Sequence, residues 1–354
     1  MGHGRVVAMV AVLAGLVAGS TLARAAEDTV SFKGKSVRLL IGYQVGGGTD
    51  LVARLVGRFL TRYLPGQPAL VPQNMPGADG LVAMNYTAQQ VAADGLTLFV
   101  ASASPVMPEI MHGSGVFYDP ASFLYIGGIA NTGTVMVASR EARARLATPG
   151  AQPVALAQVG GVRTGAQMVV WAVAYLGWNV KWVSGYPGTP ELALALNKGE
   201  VDMTDTADTK SLRTILTDPR FVGVVQTGVF ADGKLMRRAG FPDIPTLSEL
   251  LEGKLPKEAD AAYRSWLETT QIGKFFALPP GTPAAMVAAY RAAFRKMQDD
   301  PEFKAMAAAQ LDSDYVMQTP DDIRDVIKAV VATPETDLAF INQLRVKVGV
   351  PGAK

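Results

Sequence analysis

Three glycines followed by a threonine and an aspartate, Gly46 to Asp50, form the stretch of this chain with the clearest potential for chemistry. It lies between an apolar strand pattern at 37–43 and a helical pattern that begins at Leu51. Glycines let the backbone approach a ligand closely, and the unpaired N–H groups at a helix start bind anions. Thr49 or Asp50 is expected to cap this helix. An ordinary turn is the alternative, because neither the dinucleotide G-x-G-x-x-G spacing nor a following Lys-Ser/Thr is present.

Other polar side chains follow predicted strands and are candidates for contact with a ligand. Ser102 and Ser104 come after the third strand, where they could donate hydrogen bonds, stabilise a turn or cap a helix. Asp205 and Asp208 follow a later strand at a spacing that would place both on one face of a helix. A catalytic carboxylate pair is one interpretation, and helix capping or contact with a ligand amine is the other.

The residue inventory excludes several classes of enzyme. The chain has no cysteine and two histidines, His3 and His112. Thiol nucleophiles, disulfides and Cys/His metal sites are therefore excluded, and a Ser-His-Asp triad would depend on His112 alone. The loop from His112 to Gly115 resembles an oxyanion loop, but no G-x-S-x-G elbow accompanies it. We expect no catalytic residues, no metal and no cofactor.

The first residues predict export from the cytoplasm. Arg5 precedes an apolar run at 6–17, and Ala23-Arg24-Ala25 supplies the small residues that a signal peptidase recognises. Residues 1–25 are predicted to be a secretory signal, with a retained membrane anchor as the alternative. The 33 basic residues include Arg5 and Arg24, so the remaining 31 balance the 31 acidic residues. This neutral charge indicates neither nucleic acid nor a membrane surface as a partner.

The predicted elements alternate between strands and helices in two similar units, which favours an α/β fold. The first unit runs from about residue 37 to 101 in β-α-β-α-β order, which favours a largely parallel sheet with ligand loops at the strand ends. A second unit of the same kind spans about 154–226. Helices predicted at 283–297, 301–311 and 321–331 are expected to pack back on the first unit. Extended segments join the units, so we expect two lobes with a cleft between them.

Several motifs, in order along the chain, resemble the receptors of tripartite tricarboxylate transporters, the TctC or Bug family. The resemblance covers nearly all of the chain after the predicted signal. The motifs are GGGTD at 46–50, NMPGA at 74–78, ADGLTL at 93–98, FYDP at 117–120, GYPGTPEL at 185–192, GEVDM at 199–203, IPTLSE at 244–249 and PPGTP at 279–283.

The resemblance implies a two-lobed periplasmic binding protein, type II-like, that closes on a small carboxylate as a Venus flytrap does. It implies lobe 1 at 26–131 plus 231–354, lobe 2 at 132–230, and a polytopic membrane permease as partner. We expect a monomer. The residues carried over from the family are Gly47, Gly48, Thr49 and Asp50 in the first wall of the site and Ala78, Asp79 and Gly80 in the second. Asp50 is expected to cap its helix or hold a bridging water.

The second lobe departs from the family pattern. Most members have a Gly-Ser/Thr stretch followed by a histidine, whereas this chain has Gly160-Gly161-Val162-Arg163-Thr164-Gly165-Ala166-Gln167. Our hypothesis is that Arg163, or the N–H groups of Thr164 and Gly165 beside Gly161, binds the distal carboxylate. A solvated loop arginine is the alternative. Thr189 is expected at the mouth of the cleft, and Tyr43 and Tyr186 are expected to line it or to pack in the core.

Two other functions fit the same sequence. A sensory receptor that presents its liganded state to a membrane partner would share the fold and the pocket. An exported enzyme would need a base other than histidine. The identity of the ligand is left open, although the absent histidine argues mildly against citrate.

Overall fold

The structure is a computed structural model that describes residues 30–107, 115–130, 132–231, 234–311 and 315–353. The predicted signal at 1–25 and residues 112–114 of the histidine loop lie outside these ranges. The strands are β1 Ser36–Ile41, β2 Ala69–Asn74, β3 Thr97–Ser102, β4 Leu124–Ala130, β5 Val135–Ser139, β6 Val154–Gln158, β7 Val180–Ser184, β8 Met203–Thr206, β9 Phe221–Gln226, β10 Val229–Ala231, β11 Lys234–Met236, β12 Ile272–Leu278 and β13 Met317–Gln318.

The α-helices of the described residues connect and cover these strands. They are α1 Gly48–Tyr63, α2 Leu81–Gln90, α3 Arg140–Arg145, α4 Thr164–Leu176, α5 Thr189–Lys198, α6 Thr209–Thr217, α7 Leu247–Leu251, α8 Lys257–Thr269, α9 Ala284–Asp299, α10 Pro301–Gln310, α11 Pro320–Val331 and α12 Glu335–Lys347. Short 3-10 helices occur at Ala78–Gly80, Ser104–Val106 and Pro120–Ser122. In the part of the chain that the structure describes, no helix is long and apolar enough to cross a membrane.

The first sheet is mixed, with strand order β13-β4-β12-β3-β1-β2. The pairs β1-β2 and β1-β3 are parallel, as the alternating pattern predicts. β12 enters antiparallel between β3 and β4, and β13 is antiparallel to β4. The prediction of a largely parallel sheet is therefore wrong for the part of the sheet formed by β12, β4 and β13. These strands come from distant parts of the chain and pair antiparallel. Pro72 is tolerated in β2 because β2 is an edge strand.

The second sheet is also mixed, with order β7-β6-β8-β5-β9. β6 is parallel to β7 and β8, while β5 is antiparallel to β8 and β9. Two sheets, each covered by helices, give the α/β two-lobed architecture expected from the sequence.

Each face of the first sheet buries its own apolar cluster. On one face, Phe59 of α1 packs with Phe294 of α9 and Phe303 of α10. On the other, Met84 of α2 and Ile327 of α11 pack against Phe275 of β12. The three predicted late helices, which correspond to α9, α10 and α11, thus cover the first lobe as expected.

The core of the second lobe draws on the C-terminal part of the chain. Trp171 of α4 packs with Trp266 of α8 and Leu344 of α12 in a cluster that also contains residues of β5, β6, β8 and β9. The Nε1 of Trp182 donates to the carbonyl of Val348 (3.0 Å). The division at 132–230 stays a prediction, but this packing supports a proposal that residues 247–269 and 335–353 also belong to the second lobe.

Candidate functional site

The loop after β1 presents an open helix N-terminus. α1 begins at Gly48, and its N-cap residue Gly47 provides no side-chain hydrogen bond. No acceptor among the described residues takes the N–H groups of Gly48, Thr49 or Asp50. The prediction that Thr49 or Asp50 caps the helix is therefore wrong, because both residues lie inside its first turn. The free N–H groups and the helix dipole favour an anion here.

The buried carboxyl group of Asp50 stabilises this loop through hydrogen bonds. Its side chain is 2% exposed and accepts hydrogen bonds from the Gly46 N–H (2.9 Å), Arg54 Nε (2.9 Å) and Asn74 Nδ2 (2.8 Å). Asn74 Nδ2 also donates to the carbonyl of Tyr43 (2.9 Å). Burial alone would raise the pKa of Asp50, but the bonds from Arg54, Asn74 and Gly46 outweigh it and lower that pKa. Asp50 thus stabilises the stretch at 46–50, which we call the anion loop.

The second predicted wall is a left-handed turn. The φ angles of Gly77, Ala78, Asp79 and Gly80 are all positive, at 147°, 44°, 53° and 94°. Two of these residues carry a Cβ, and such strain is concentrated at functional sites. The carbonyl of Asp79 accepts a hydrogen bond from the Tyr43 hydroxyl (2.7 Å), which fixes the turn against the end of β1.

Tyr43 and Ser102 form a polar row at the edge of the first sheet. Their hydroxyl groups are in direct contact, and Ser102 Oγ lies 3.5 Å from Ser104 Oγ. Burial, together with the nearby charge of Asp79, raises the pKa of Tyr43 to about 12, so its hydroxyl remains a neutral donor. Tyr43 also packs on the apolar cluster that contains Phe99 and Phe275, so the core role is found and a contact with ligand stays a prediction.

An ion pair joins the two lobes at this point. Arg163 Nε donates to Asp79 Oδ1 at 2.8 Å, and the two side chains are 23% and 9% exposed. A Cβ on Gly160 would lie 3.0 Å from Asp79 Oδ2, so the backbone of the second lobe also comes close to this turn. The alternative of a solvated loop arginine is excluded. Arg163 Nη1 and Nη2 make no hydrogen bond within the described residues and could contact a ligand.

The second lobe offers an open helix N-terminus of its own. α4 begins at Thr164, and its N-cap residue Arg163 makes no side-chain capping bond. No acceptor within the described ranges takes the N–H groups of Thr164 and Gly165. A Cβ on Gly165 would lie only 2.1 to 2.4 Å from the Asp205 carboxyl group, so α4 approaches β8 closely because residue 165 is glycine.

Asp205 is a half-buried carboxyl group beside this helix start. It accepts a hydrogen bond from Gln158 Nε2 (3.2 Å). Burial raises the pKa of Asp205 to about 6, with a smaller rise from Asp79 and an opposing effect of Arg163. Asp205 lies in β8, and Asp208 caps α6 through the Ser211 N–H (2.7 Å). The predicted placement of both aspartates on one helical face is therefore wrong.

Three further predicted residues lie outside this group of contacts. Gly161 packs against the C-terminal segment, since a Cβ there would lie 2.4 Å from Val350 Cγ1. Tyr186 packs on the apolar cluster of β5 and α5, which favours its core role. Thr189 is the first residue of α5 and has no hydrogen bond or ion pair to the residues around Arg163.

Sequence reasoning missed Lys274. It lies in β12, where it is the one charged residue in the otherwise apolar strand IGKFFAL. It pairs with Ser102 of β3, and its charge interacts with Asp208 and Arg163 of the second lobe and with Arg238. The sequence does contain a signal for Lys274, since a single lysine within an apolar run is unusual. We call Tyr43, Asp79, Ser102, Arg163, Asp205 and Lys274 the interlobe cluster.

The arrangement defines a two-lobed binding fold with polar groups from both lobes at one boundary. MatC from Rhodopseudomonas palustris with bound malate superposes with a TM-score of 0.62 at 18% identity, over 85% of this chain and 98% of MatC. The periplasmic binding protein BugD has a TM-score of 0.66 at 20% identity, over 89% and 98%. A TctC solute-binding protein from Polaromonas has a TM-score of 0.58 at 17% identity, over 90% and 100%. The fold is that of periplasmic binding proteins.

No family model matches the chain, but it is similar in sequence to several curated proteins. A UPF0065 protein of Cupriavidus necator is 27% identical over 298 residues, 78% of this chain and 79% of the relative. A UPF0065 protein of Bordetella pertussis is 28% identical over 304 residues, 83% and 84%. BugT of the same species is 38% identical over 74 residues, 21% and 22%. These relatives and the structural neighbours BugD and the TctC protein confirm the resemblance of this chain to the TctC/Bug family.

Proposed function

We propose that this protein binds a small carboxylate between its two lobes in the periplasm and delivers it to a membrane permease of a tripartite tricarboxylate transporter. The observation that carries the proposal is the pair of uncapped helix N-termini, at Gly48 and at Thr164, one from each lobe. Their free N–H groups are suited to an anionic ligand that contacts both lobes at once.

The surrounding contacts support closure as the mechanism. The Arg163–Asp79 pair connects the lobes at the start of α4. A ligand held from both sides stabilises the closed form relative to the open form, by no more than its difference in affinity for the two. Exclusion of water then strengthens each hydrogen bond.

The ligands of two structural neighbours support a small carboxylate as the class of ligand. MatC is a structure with malate, and another Rhodopseudomonas palustris protein of this fold (TM-score 0.65, 18% identity) is a structure with adipate. Both ligands are small organic acids. The structural neighbours BugD and the TctC protein are named as binding proteins, and we propose a binding role without turnover for this chain as well.

A thermal-shift screen tests the proposal. The purified protein is unfolded and refolded to remove any retained ligand, and is then heated with mono-, di- and tricarboxylates, aromatic acids, amino acids and neutral sugars. A micromolar binder at millimolar concentration should add about 4 kcal/mol of stability. Acids should raise the melting temperature and sugars should not. A sugar as the one binder, or no binder in the panel, would overturn the carboxylate assignment.

A loop variant locates the site. A Cβ on Gly48 meets nothing within 4 Å, and one on Gly47 only the Gln44 carbonyl at 3.4 Å, so the fold should accept side chains at both positions. In the double variant Gly47→Val, Gly48→Val, branched side chains cover the N–H groups. It should melt near the wild-type temperature and show no shift with the acid that stabilises the wild type. Retained binding would contradict the proposed anion loop.

A further inference from the structure

Lys274 occupies an unusual position for a charged residue. The residues flanking it in β12 are buried, and its side chain is half-buried. Its ammonium group makes no hydrogen bond and no ion pair within the described residues. A charge taken out of water without a partner is costly, so such a group is retained where a partner arrives from elsewhere.

The register places this ammonium group on the binding boundary. Lys274 is directly opposite Ser102 on the neighbouring strand, and residues opposite one another point to the same face of a sheet. Ser102 in turn contacts the Tyr43 hydroxyl group, which bonds to the Asp79 turn. Lys274 of β12, Ser102 of β3 and Tyr43, which follows the end of β1, thus form one row.

Charged groups of the second lobe also interact electrostatically with Lys274. Asp208 is the acidic group among them, and its Oδ1 is already occupied by the Ser211 N–H of its capping bond. The guanidinium of Arg163 is engaged with Asp79. Burial lowers the pKa of Lys274 from its ordinary value, as expected for an ammonium group without an anionic partner.

We propose that Lys274 is a specificity-determining residue that binds a second acidic group of the ligand, while the N–H groups at Gly48 bind the first. This inference rests on the proposed carboxylate-binding function. β12 is two strands away from β1, which corresponds to about 10 Å across the sheet. The preferred ligand therefore carries acidic groups at both ends of a short chain.

Matched ligands test the role of the second acidic group. Succinate and adipate are compared by calorimetry with their monoamides, which keep the length and one carboxylate but replace the other by a neutral amide. The wild type should bind a diacid roughly tenfold to a hundredfold more tightly than its monoamide, as expected for one charge-assisted hydrogen bond.

Two variants of Lys274 make the test specific. Lys274→Met should lower diacid affinity to the level of the monoamide and leave monoamide affinity nearly unchanged. Lys274→Arg keeps the charge and should keep the preference. The exposed Lys181 of β7 supplies the control, and Lys181→Met should behave as wild type. Because Lys274→Met removes an unpaired buried charge, it should melt at or above the wild-type temperature.

The possible failures can be told apart. A wild type that binds no carboxylate would overturn the proposed function and this inference with it. A wild type that binds diacids and monoamides equally, or a Lys274→Met variant that keeps the preference for diacids, would overturn the inference and leave the proposed function standing. If Lys274→Met does not fold, loss of the preference in Lys274→Gln with retention in Lys274→Arg supports the inference, and retention in Lys274→Gln overturns it.

Discussion

Arg163 Nε and Asp79 Oδ1 lie 2.8 Å apart, although one residue precedes a helix of the second lobe and the other belongs to a strained turn of the first. The pair is a direct contact between the two lobes. It gives Arg163 a structural role beside the ligand-binding role expected from the sequence, which stays a prediction. A ligand would reach the Nη atoms of an arginine whose position is already fixed.

Removal of either partner should loosen the closed form. Asp79→Asn and Arg163→Gln should each lower the free energy of unfolding by about 1 to 3 kcal/mol, because a largely buried group loses its charged partner. Each should also increase the radius of gyration in X-ray scattering. The exposed pair Arg220–Asp218 (2.7 Å) is the control, and Arg220→Gln should change neither quantity. Unchanged stability and size in both cleft variants would contradict this role.

The pKa of Asp205 predicts a stability change with pH. Its folded-state pKa of about 6 lies above the ordinary value of 3.8, so the folded protein binds more protons than the unfolded chain between these values. The contribution is fully present below about pH 4 and is lost as the pH rises through 6. At about 1.4 kcal/mol per pKa unit it amounts to about 3 kcal/mol.

Denaturant unfolding of Asp205→Asn measures this contribution. The stability of the wild type relative to the variant should fall as the pH rises from 4 to 6.5. Asp325→Asn, a change at an exposed side chain, should follow the wild type throughout. Parallel pH profiles for wild type and Asp205→Asn would show that Asp205 does not titrate in this range.

The support under the anion loop should also be measurable. Asp50→Ala removes the acceptor of three hydrogen bonds in a buried site and should cost about 2 to 4 kcal/mol. Asn74→Ala removes one bond to Asp50 and one to Tyr43, and should cost less. Both changes should weaken ligand binding beyond their effect on folding, because the loop loses its fixed shape. An Asp50→Ala protein with wild-type affinity would refute the supporting role.

The close approach of α4 to β8 predicts opposite outcomes for two glycine variants. Gly165→Ala places a Cβ within 2.4 Å of the short, hydrogen-bonded Asp205 side chain, and should cost about 1 to 3 kcal/mol. Gly48→Ala meets no atom within 4 Å and should leave stability unchanged or slightly higher. Thermal unfolding of both variants measures the difference in stability. Equal melting temperatures for the two variants would contradict the steric argument.

The elements that sequence periodicity predicts best are those that pair with near neighbours in the chain. The strand pattern at 37–43 corresponds to β1 Ser36–Ile41, and the helix predicted at 301–311 is found at Pro301–Gln310. β12 was missed, since nothing local indicates that residues 272–278 insert between β3 and β4. Lys274 was missed with it. The part of the site that the sequence predicts is the pair of loops that follow β1 and β2.

Prediction of side-chain roles was limited by long-range contacts. The sequence indicates that Asp50 does not bind the ligand directly, but not that Arg54 and Asn74 hold it. Arg163 was recognised as unusual, yet its partner Asp79 lies 84 positions away and was assigned to a different wall. Ion pairs across lobes leave no periodic pattern in a sequence.

The packing of α12 has a consequence for how the protein folds. Ile341 and Leu344 complete the apolar cluster around Trp171, so the second lobe lacks part of its core until residues about 170 positions further along the chain are in place. The first lobe likewise needs β12 between β3 and β4. Neither lobe is a continuous segment that can fold during synthesis. Neither core can therefore be completed until nearly all of the chain has been made, and a polypeptide with an incomplete core is the form that can be threaded through a membrane pore.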